Sequence, residues 1–283
     1  MKNNLRMLGL VLCLLPMYLE AGTQKSQERA YPPAQEQNTR SAESIPAGTI
    51  IPVSLNSALR SDKSGSGDAI TATVMQDVPL GTGKTLRAGS RVTGHVVEAI
   101  SPRKGSDEPG ISFQFDQVRL GNLTIPVTVN LRAVASRTAV LAATPHLTSS
   151  EYADNQVQIG GDQISYGEGG SVMVGSQVVG KYTSQGVLAY VGQDLGTPCR
   201  GTIDDNAHPQ AFWLFSVNAC GSYGFSDLKI LQSGRTEPLG EITLTSNGKA
   251  LKVGKGSAML LRVDGSRPEE AQAHTTLSRG TGQ

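Results

Sequence analysis

The sequence predicts an all-β protein: an antiparallel barrel or sandwich with a Gly-rich β insertion. Three observations lead there. Aromatics are sparse and 33 glycines punctuate short runs rich in Val, Thr and Ser, a composition suited to short strands joined by tight turns. Apolar and polar residues alternate with period two in several windows. Those windows are bounded by Gly, Pro, Asn or Asp.

Lys2 and Arg6 open the chain, and an apolar run over residues 7–19 follows. The run is short of the ~20 residues of a membrane span. It is followed by Leu19-Glu20-Ala21, which ends on a small residue. Residues 1–21 therefore read as a secretory signal peptide. The destination is the periplasm, cell envelope or extracellular space, with no membrane span after cleavage. Lipid attachment at Cys13, disfavoured by the bulky Leu12, and retention as an uncleaved anchor are the other readings. Residues 22–44 are polar, with Pro32-Pro33 and almost no apolar period, and read as a disordered linker.

Residues 45–132 form the first β half. Ile70, Ala72 and Val74 alternate with Thr71 and Thr73, and Val92, Gly94 and Val96 repeat the spacing. Ile111, Phe113 and Phe115 lie in one phase and Val118 and Leu120 in the other, so a β-bulge is expected at Asp116-Gln117. Gly121-Asn122 is the two-residue turn into an alternating strand over 123–131. Within it Pro126 lacks a donor and points to an edge or a bulge.

Residues 133–210 are an irregular, Gly-rich insertion. Its first part, 133–156, has no clear period, and a short helix or a long excursion both fit. Ser171-Val172-Met173-Val174 and Gln177-Val178-Val179 then read as narrow strands bounded by glycine. In the closing region, 211–265, residues 212–217 are apolar on both faces and read as a central strand. Asn247-Gly248 is expected to turn Ile242 and Leu244 as a hairpin into Leu251 and Val253. Residues 258–263 form the last strand, and 266–283 read as a disordered tail. An echo runs through the chain. Pro46-Ala47-Gly48-Thr49, Arg87-Ala88-Gly89-Ser90 and Gly254-Lys255-Gly256-Ser257 each place a turn glycine before a hydroxyl residue that opens a strand.

Lys and Arg total 25 against 24 Asp and Glu, a balance that speaks against a nucleic-acid partner. Gly81-Thr82-Gly83-Lys84-Thr85 resembles the end of a phosphate-binding loop. Val78 stands where that loop needs glycine, and a strand follows in place of a helix. It reads as a hairpin turn, and no nucleotide is expected. Cys220-Gly221-Ser222-Tyr223-Gly224 fails as a nucleophile elbow, because Cys220 replaces the first glycine. His95, His146, His208 and His274 have no metal-ligand spacing. Asp204-Asp205 opens a stretch without the glycine and glutamate of a calcium loop. No catalytic, metal or cofactor residue is assigned.

Once residues 1–21 are removed, Cys199 and Cys220 remain and are expected to form a disulfide; two buried thiols are the other reading. Phe212, Trp213, Phe215, Tyr223 and Phe225 cluster nearby. They can form an interaction patch, although core packing beside the cysteine pair is the reading the pattern favours.

The order of residues 45–55, Gly67-Asp68-Ala69-Ile70-Thr71-Ala72, residues 86–94, the 113–129 hairpin and Gly256-Ser257-Ala258-Met259-Leu260-Leu261-Arg262-Val263 resembles the periplasmic barrel of conjugal-transfer core proteins of type IV secretion systems. It is also similar to uncharacterised exported bacterial proteins with the same opening. The resemblance covers 45–131 and 250–264. It implies a β-barrel scaffold that binds other envelope proteins, with no catalytic residues to carry over. Those family members have a cytoplasmic tail, a true membrane span and a helical outer-membrane projection, whereas this sequence opens on a signal peptide and its possible helical excursion, 133–156, has no clear apolar face. Interaction or scaffolding without catalysis is therefore the leading expectation. A secreted module binding polysaccharide or another surface ligand through the Gly-rich loops of 157–201 is the alternative, and a hydrolase with an unrecognised site is a third.

Overall fold

The computed structural model describes residues 44–81, 83–101, 108–144, 155–161, 163–190, 208–248 and 250–265. The expected signal peptide, linker, tail, Cys199 and the acidic stretch after it lie outside the described residues. The chain first runs through β1 (Ile50–Leu55), β2 (Leu59–Arg60), β3 (Ala69–Val74), β4 (Val78–Pro79), β5 (Thr85–Leu86), β6 (Arg91–Ile100), β7 (Gly110–Leu120), β8 (Leu123–Pro126) and β9 (Thr128–Ala135). The helix α1 (Arg137–Ala143) follows. Next come β10 (Asn155–Val157), β11 (Gln163–Tyr166), β12 (Ser171–Val174), β13 (Gln177–Thr183), β14 (Gly186–Ala189) and β15 (Gln210–Trp213). The last elements are β16 (Gly221–Tyr223), β17 (Leu228–Ser233), β18 (Ile242–Ser246), β19 (Lys252–Val253) and β20 (Ala258–Gly265). The protein is all-β, as expected.

Ten strands form one sheet in the order β16-β9-β20-β1-β3-β6-β7-β18-β17, with β8 pairing β7. Its pairs are antiparallel apart from β16, which runs parallel to β9. The sheet curls into a half-barrel. Its two end strands meet where Ser222 Oγ donates to the Leu228 carbonyl at 2.8 Å. Inward residues of β1, β3, β6, β7, β9 and β20, among them Val53, Ile70, Phe113 and Leu261, fill its concave side. Phe113 and Phe115 pack edge to face at 5.8 Å.

The second sheet has six strands in sequence order from β10 to β15. It covers the outer face of β1, β9 and β20, where Ile50, Ala133 and Leu260 pack with Val172, Val187 and Phe212. These strands of the first sheet are thus covered on both faces, which is why their apolar runs are nearly continuous. Gln210, fully buried, ties the two sheets: its Oε1 accepts from Ile50 N at 2.8 Å.

The sequence echo is a repeated turn. Gly48, Gly89 and Gly256 have φ of 83°, 84° and 80°, the left-handed position of a type II turn. Gly67, in Gly65-Ser66-Gly67-Asp68, is a fourth at 85°. At each, the glycine N–H donates to a strand carbonyl, and that strand residue donates back to the carbonyl of the residue after the glycine. The strand partners are Val263, Val96, Val74 and Leu55 for Gly48, Gly67, Gly89 and Gly256. So the turns before β1 and β20 dock on each other's strands, and those before β3 and β6 do the same.

Several sequence expectations hold. Thr93 pairs with Gln117 and Gly94 with Phe115, which leaves Asp116 as the bulge residue. Val78 pairs with Leu86 across the expected hairpin between β4 and β5. Others need correction. The strand over 123–131 is two strands: Val127 N donates to the carbonyl of the bulged Asp116 at 2.8 Å, and beyond that point the chain moves to β20. The central strand over 212–217 is instead the edge strand β15, which ends at Trp213. There φ is +53°, and the chain turns through residues 214–216. Asn247-Gly248 does not make a hairpin. β18 already has β17 and β7 on its two sides, so no edge is free, and β19 pairs β2 instead.

Candidate functional site

A cleft of about 170 Å³ opens on the second sheet, between the ends of β13, β14 and β15 and Thr144 at the C-cap of α1. Its walls carry amides and hydroxyls, chiefly Gln156, Gln158, Gln185 and Ser184, with Tyr182 and Trp213 as the aromatic surfaces. Among the described residues no carboxylate, Lys or Arg lines it.

Trp213 is positioned by an unusual local arrangement. It is the one described non-glycine residue with positive φ, a conformation that is costly for a bulky side chain. Gln76, 1 % exposed, compensates. Its Oε1 accepts from Trp213 N at 2.6 Å and its Nε2 donates to Val187 O at 3.0 Å. Gly186 lets the two chains approach, because a Cβ there would sit 2.6 Å from Trp213 Cα and 2.8 Å from Gln76 Oε1.

Gln158 is positioned from the other side. Ile159 N donates to Leu214 O at 2.9 Å and Ser216 N to Ile159 O at 2.8 Å, so the segment lies parallel to the chain after Trp213. Gly160 packs on Ala219, where a Cβ would be 3.0 Å from the Ala219 Cβ. Gln158 is 4 % exposed and faces the cleft. Its side-chain amide has no hydrogen-bond partner among the described residues. The other amides are engaged. Gln156 Nε2 donates to Ala143 O at 2.8 Å and its Oε1 accepts from Tyr166 Oη. Gln185 Oε1 accepts from Asp77 N at 2.6 Å. Tyr166 and Tyr182 meet edge to face at 5.1 Å, and burial pushes the Tyr166 phenol up.

The five aromatics singled out in the sequence do not form one patch. Phe212 and Phe215 are fully buried between the sheets. Tyr223 packs on the same core, with its Oη bonded to both the N–H and the carbonyl of Cys220. Phe225 packs on the half-barrel core. Trp213 alone of the five lines the cleft. Cys220 is half-buried beside this cluster; Cys199 lies outside the described residues, so the disulfide between them stands as a proposal.

Two other polar groupings lie outside the cleft. His95 Nδ1 faces Asp116 Oδ2 at 2.8 Å, and Gln114 Nε2 donates to His95 Nε2 at 3.0 Å. No hydroxyl or thiol joins them among the described residues. At the end of β20, Asn130 Nδ2 and Arg262 Nη1 donate to Asp264 Oδ1 at 2.6 and 2.9 Å. Burial holds the Asp264 carboxyl above the ordinary range despite Arg262 and Arg235. Ser222, the hydroxyl of the rejected elbow, is committed to Leu228 O. Among the described residues no group of three His, Cys, Asp or Glu could hold a metal ion, and no helix is long and apolar enough to cross a membrane.

Gln76, Gln158 and Gly186 were not singled out from the sequence. Gln76 had a signal: it continues the inward phase of Ile70, Ala72 and Val74, where a polar residue is out of place. Gln158 lies in an aperiodic Gly-rich stretch and had none. No protein-family model and no curated protein matches this chain.

Proposed function

We propose that this is an exported, non-enzymatic envelope β-protein that works by binding. The half-barrel is the scaffold, and the second sheet presents the binding cleft. The disulfide between Cys199 and Cys220 belongs to this reading, since it needs an oxidising compartment. The observation that carries the proposal is the cleft beside Trp213, lined among the described residues by amides, hydroxyls and aromatic rings, with the left-handed Trp213 backbone held in place by buried Gln76. Strain of this kind persists where the surrounding structure over-determines it, and it clusters at functional positions. The resemblance to secretion-system barrel proteins agrees with a scaffold that meets other envelope components.

Co-sedimentation of the exported protein with isolated envelope fractions tests this. Saturable partition into one fraction, reduced by Trp213→Ala and unchanged by Leu231→Ser on the far edge strand β17, is the expected result. Equal partition of all three proteins, or none by any, would contradict it.

A further inference from the structure

We infer that the cleft is a recognition site for one ring of a neutral saccharide, with Trp213 as the apolar platform, Gln158 as the polar contact and Gln76 as a positioning residue. The inference rests on the binding reading above and names its ligand class. Four features of the site support it.

The first is Gln158. Gln158 is 4 % exposed and lines the cleft, and its side-chain amide makes no hydrogen bond among the described residues, so it is available to a ligand there. The amide offers a donor and an acceptor side by side. Adjacent hydroxyls on a pyranose ring present the matching acceptor and donor. The second is Trp213, partly exposed and next to Leu214 in the wall. Saccharides carry C–H groups on their ring faces, and an aromatic surface complements them while polar groups meet the hydroxyls at the ring edge.

The third is charge. The described walls carry no Lys or Arg to hold a phosphate or carboxylate and no carboxylate to hold a cation, so their amides and hydroxyls favour a neutral, hydroxyl-rich ligand. The fourth is size and access. At about 170 Å³ the cleft is smaller than the roughly 300–1,000 Å³ of drug-sized sites, so one ring enters it. The rest of an oligomer would run past Ser184 and Tyr182, both exposed.

Trp213 is the only tryptophan of the chain, so its emission reports on the site directly. The exported protein is titrated with cellohexaose, maltohexaose and chitohexaose, and with oligogalacturonate as the anionic counterpart. The expected result is a saturable emission change with at least one neutral hexasaccharide and none with oligogalacturonate. Gln158→Leu, which keeps the side chain's bulk, is expected to weaken that binding about tenfold, the loss of one or two hydrogen bonds. Gln117→Leu, an exposed glutamine of β7, is expected to leave it unchanged. Gln158→Asn is the second variant, and partial recovery of affinity relative to Gln158→Leu is expected. A cooperative unfolding transition in every variant shows that the fold is intact.

The inference is overturned by no saturable change with the three neutral sugars, by equal affinity of Gln158→Leu and the parent protein, or by a response to oligogalacturonate alone. Trp213-dependent co-sedimentation without any hexasaccharide response would remove the saccharide and leave the binding reading standing. Hexasaccharide binding without co-sedimentation would do the reverse.

Discussion

The two sheets solve different problems. In the half-barrel, large aliphatic and aromatic side chains point inward from long strands, and matched turns lock neighbouring strands at their ends. In the second sheet the strands are short, the core residues are smaller, and apolar side chains such as Val157 and Val178 remain 59 % and 61 % exposed. The half-barrel builds a continuous apolar core along its concave side. The second sheet holds Trp213 in a costly conformation and presents Gln158 to the cleft. On the proposed reading the half-barrel supplies stability, and the second sheet uses some of it to hold a site.

Substitutions can sharpen this contrast. The largest effect is expected in the half-barrel at Gly94→Ala, where a Cβ would lie 2.7 Å from Phe115 Cα at the bulge. Urea unfolding should show a loss of about 3 kcal/mol or more. Next is Cys220→Ala, which on the proposed Cys199–Cys220 disulfide should cost about 2–4 kcal/mol. Reductant should lower the parent protein by the same amount and leave the variant unchanged. Non-reducing peptide mapping should identify Cys199 as the partner.

Gly186→Ala probes the second sheet. It pushes on the Trp213 backbone and on Gln76, and about 1–3 kcal/mol should be lost. A shift in Trp213 emission should accompany the loss and distinguish it from the Gly94 variant.

A smaller effect concerns pH. The Asp77 carboxyl is held below the ordinary carboxylate range, first by the Ala88 N–H and then by Arg87, against a penalty from burial. A depressed folded value means that stability is fully present above the unfolded value of about 4. It is lost as pH falls through the folded one. Solvent screening keeps this to about 1 kcal/mol or less. Asp77→Asn should abolish that part of the acid dependence in unfolding curves taken between about pH 5 and 2. The smallest effect is expected at exposed Val178→Thr, within about 0.5 kcal/mol.

The same contrast decides what was legible in the sequence. Ile70, Ala72 and Val74, the Asp116 bulge and three of the four docking turns could be read because one face of each strand is buried and the turn needs glycine. The fourth, at Gly65-Ser66-Gly67-Asp68, is polar throughout and passes for a loop. Asn247-Gly248 is a strong local hairpin signal, but local chemistry does not show that β18 has neighbours on both sides. The pairing depends on β7, far away in the chain. Residues 212–217 are apolar on both faces because two sheets meet there, and the sequence cannot distinguish that from a central strand. The cleft was the least legible part. Its defining features are a left-handed tryptophan and a glutamine presented to the cleft from an aperiodic segment, and neither leaves a periodic signal.

Hydrogen exchange compares the two regions in one experiment. Peptide-resolved exchange of the exported protein is measured alone and with the envelope fraction that it sediments with. Added protection should be confined to peptides covering residues 156–160, 182–187 and 210–214, with β1, β3, β6 and β7 unchanged. Protection centred on the half-barrel strands, or spread evenly over both sheets, would contradict the division into scaffold and binding sheet.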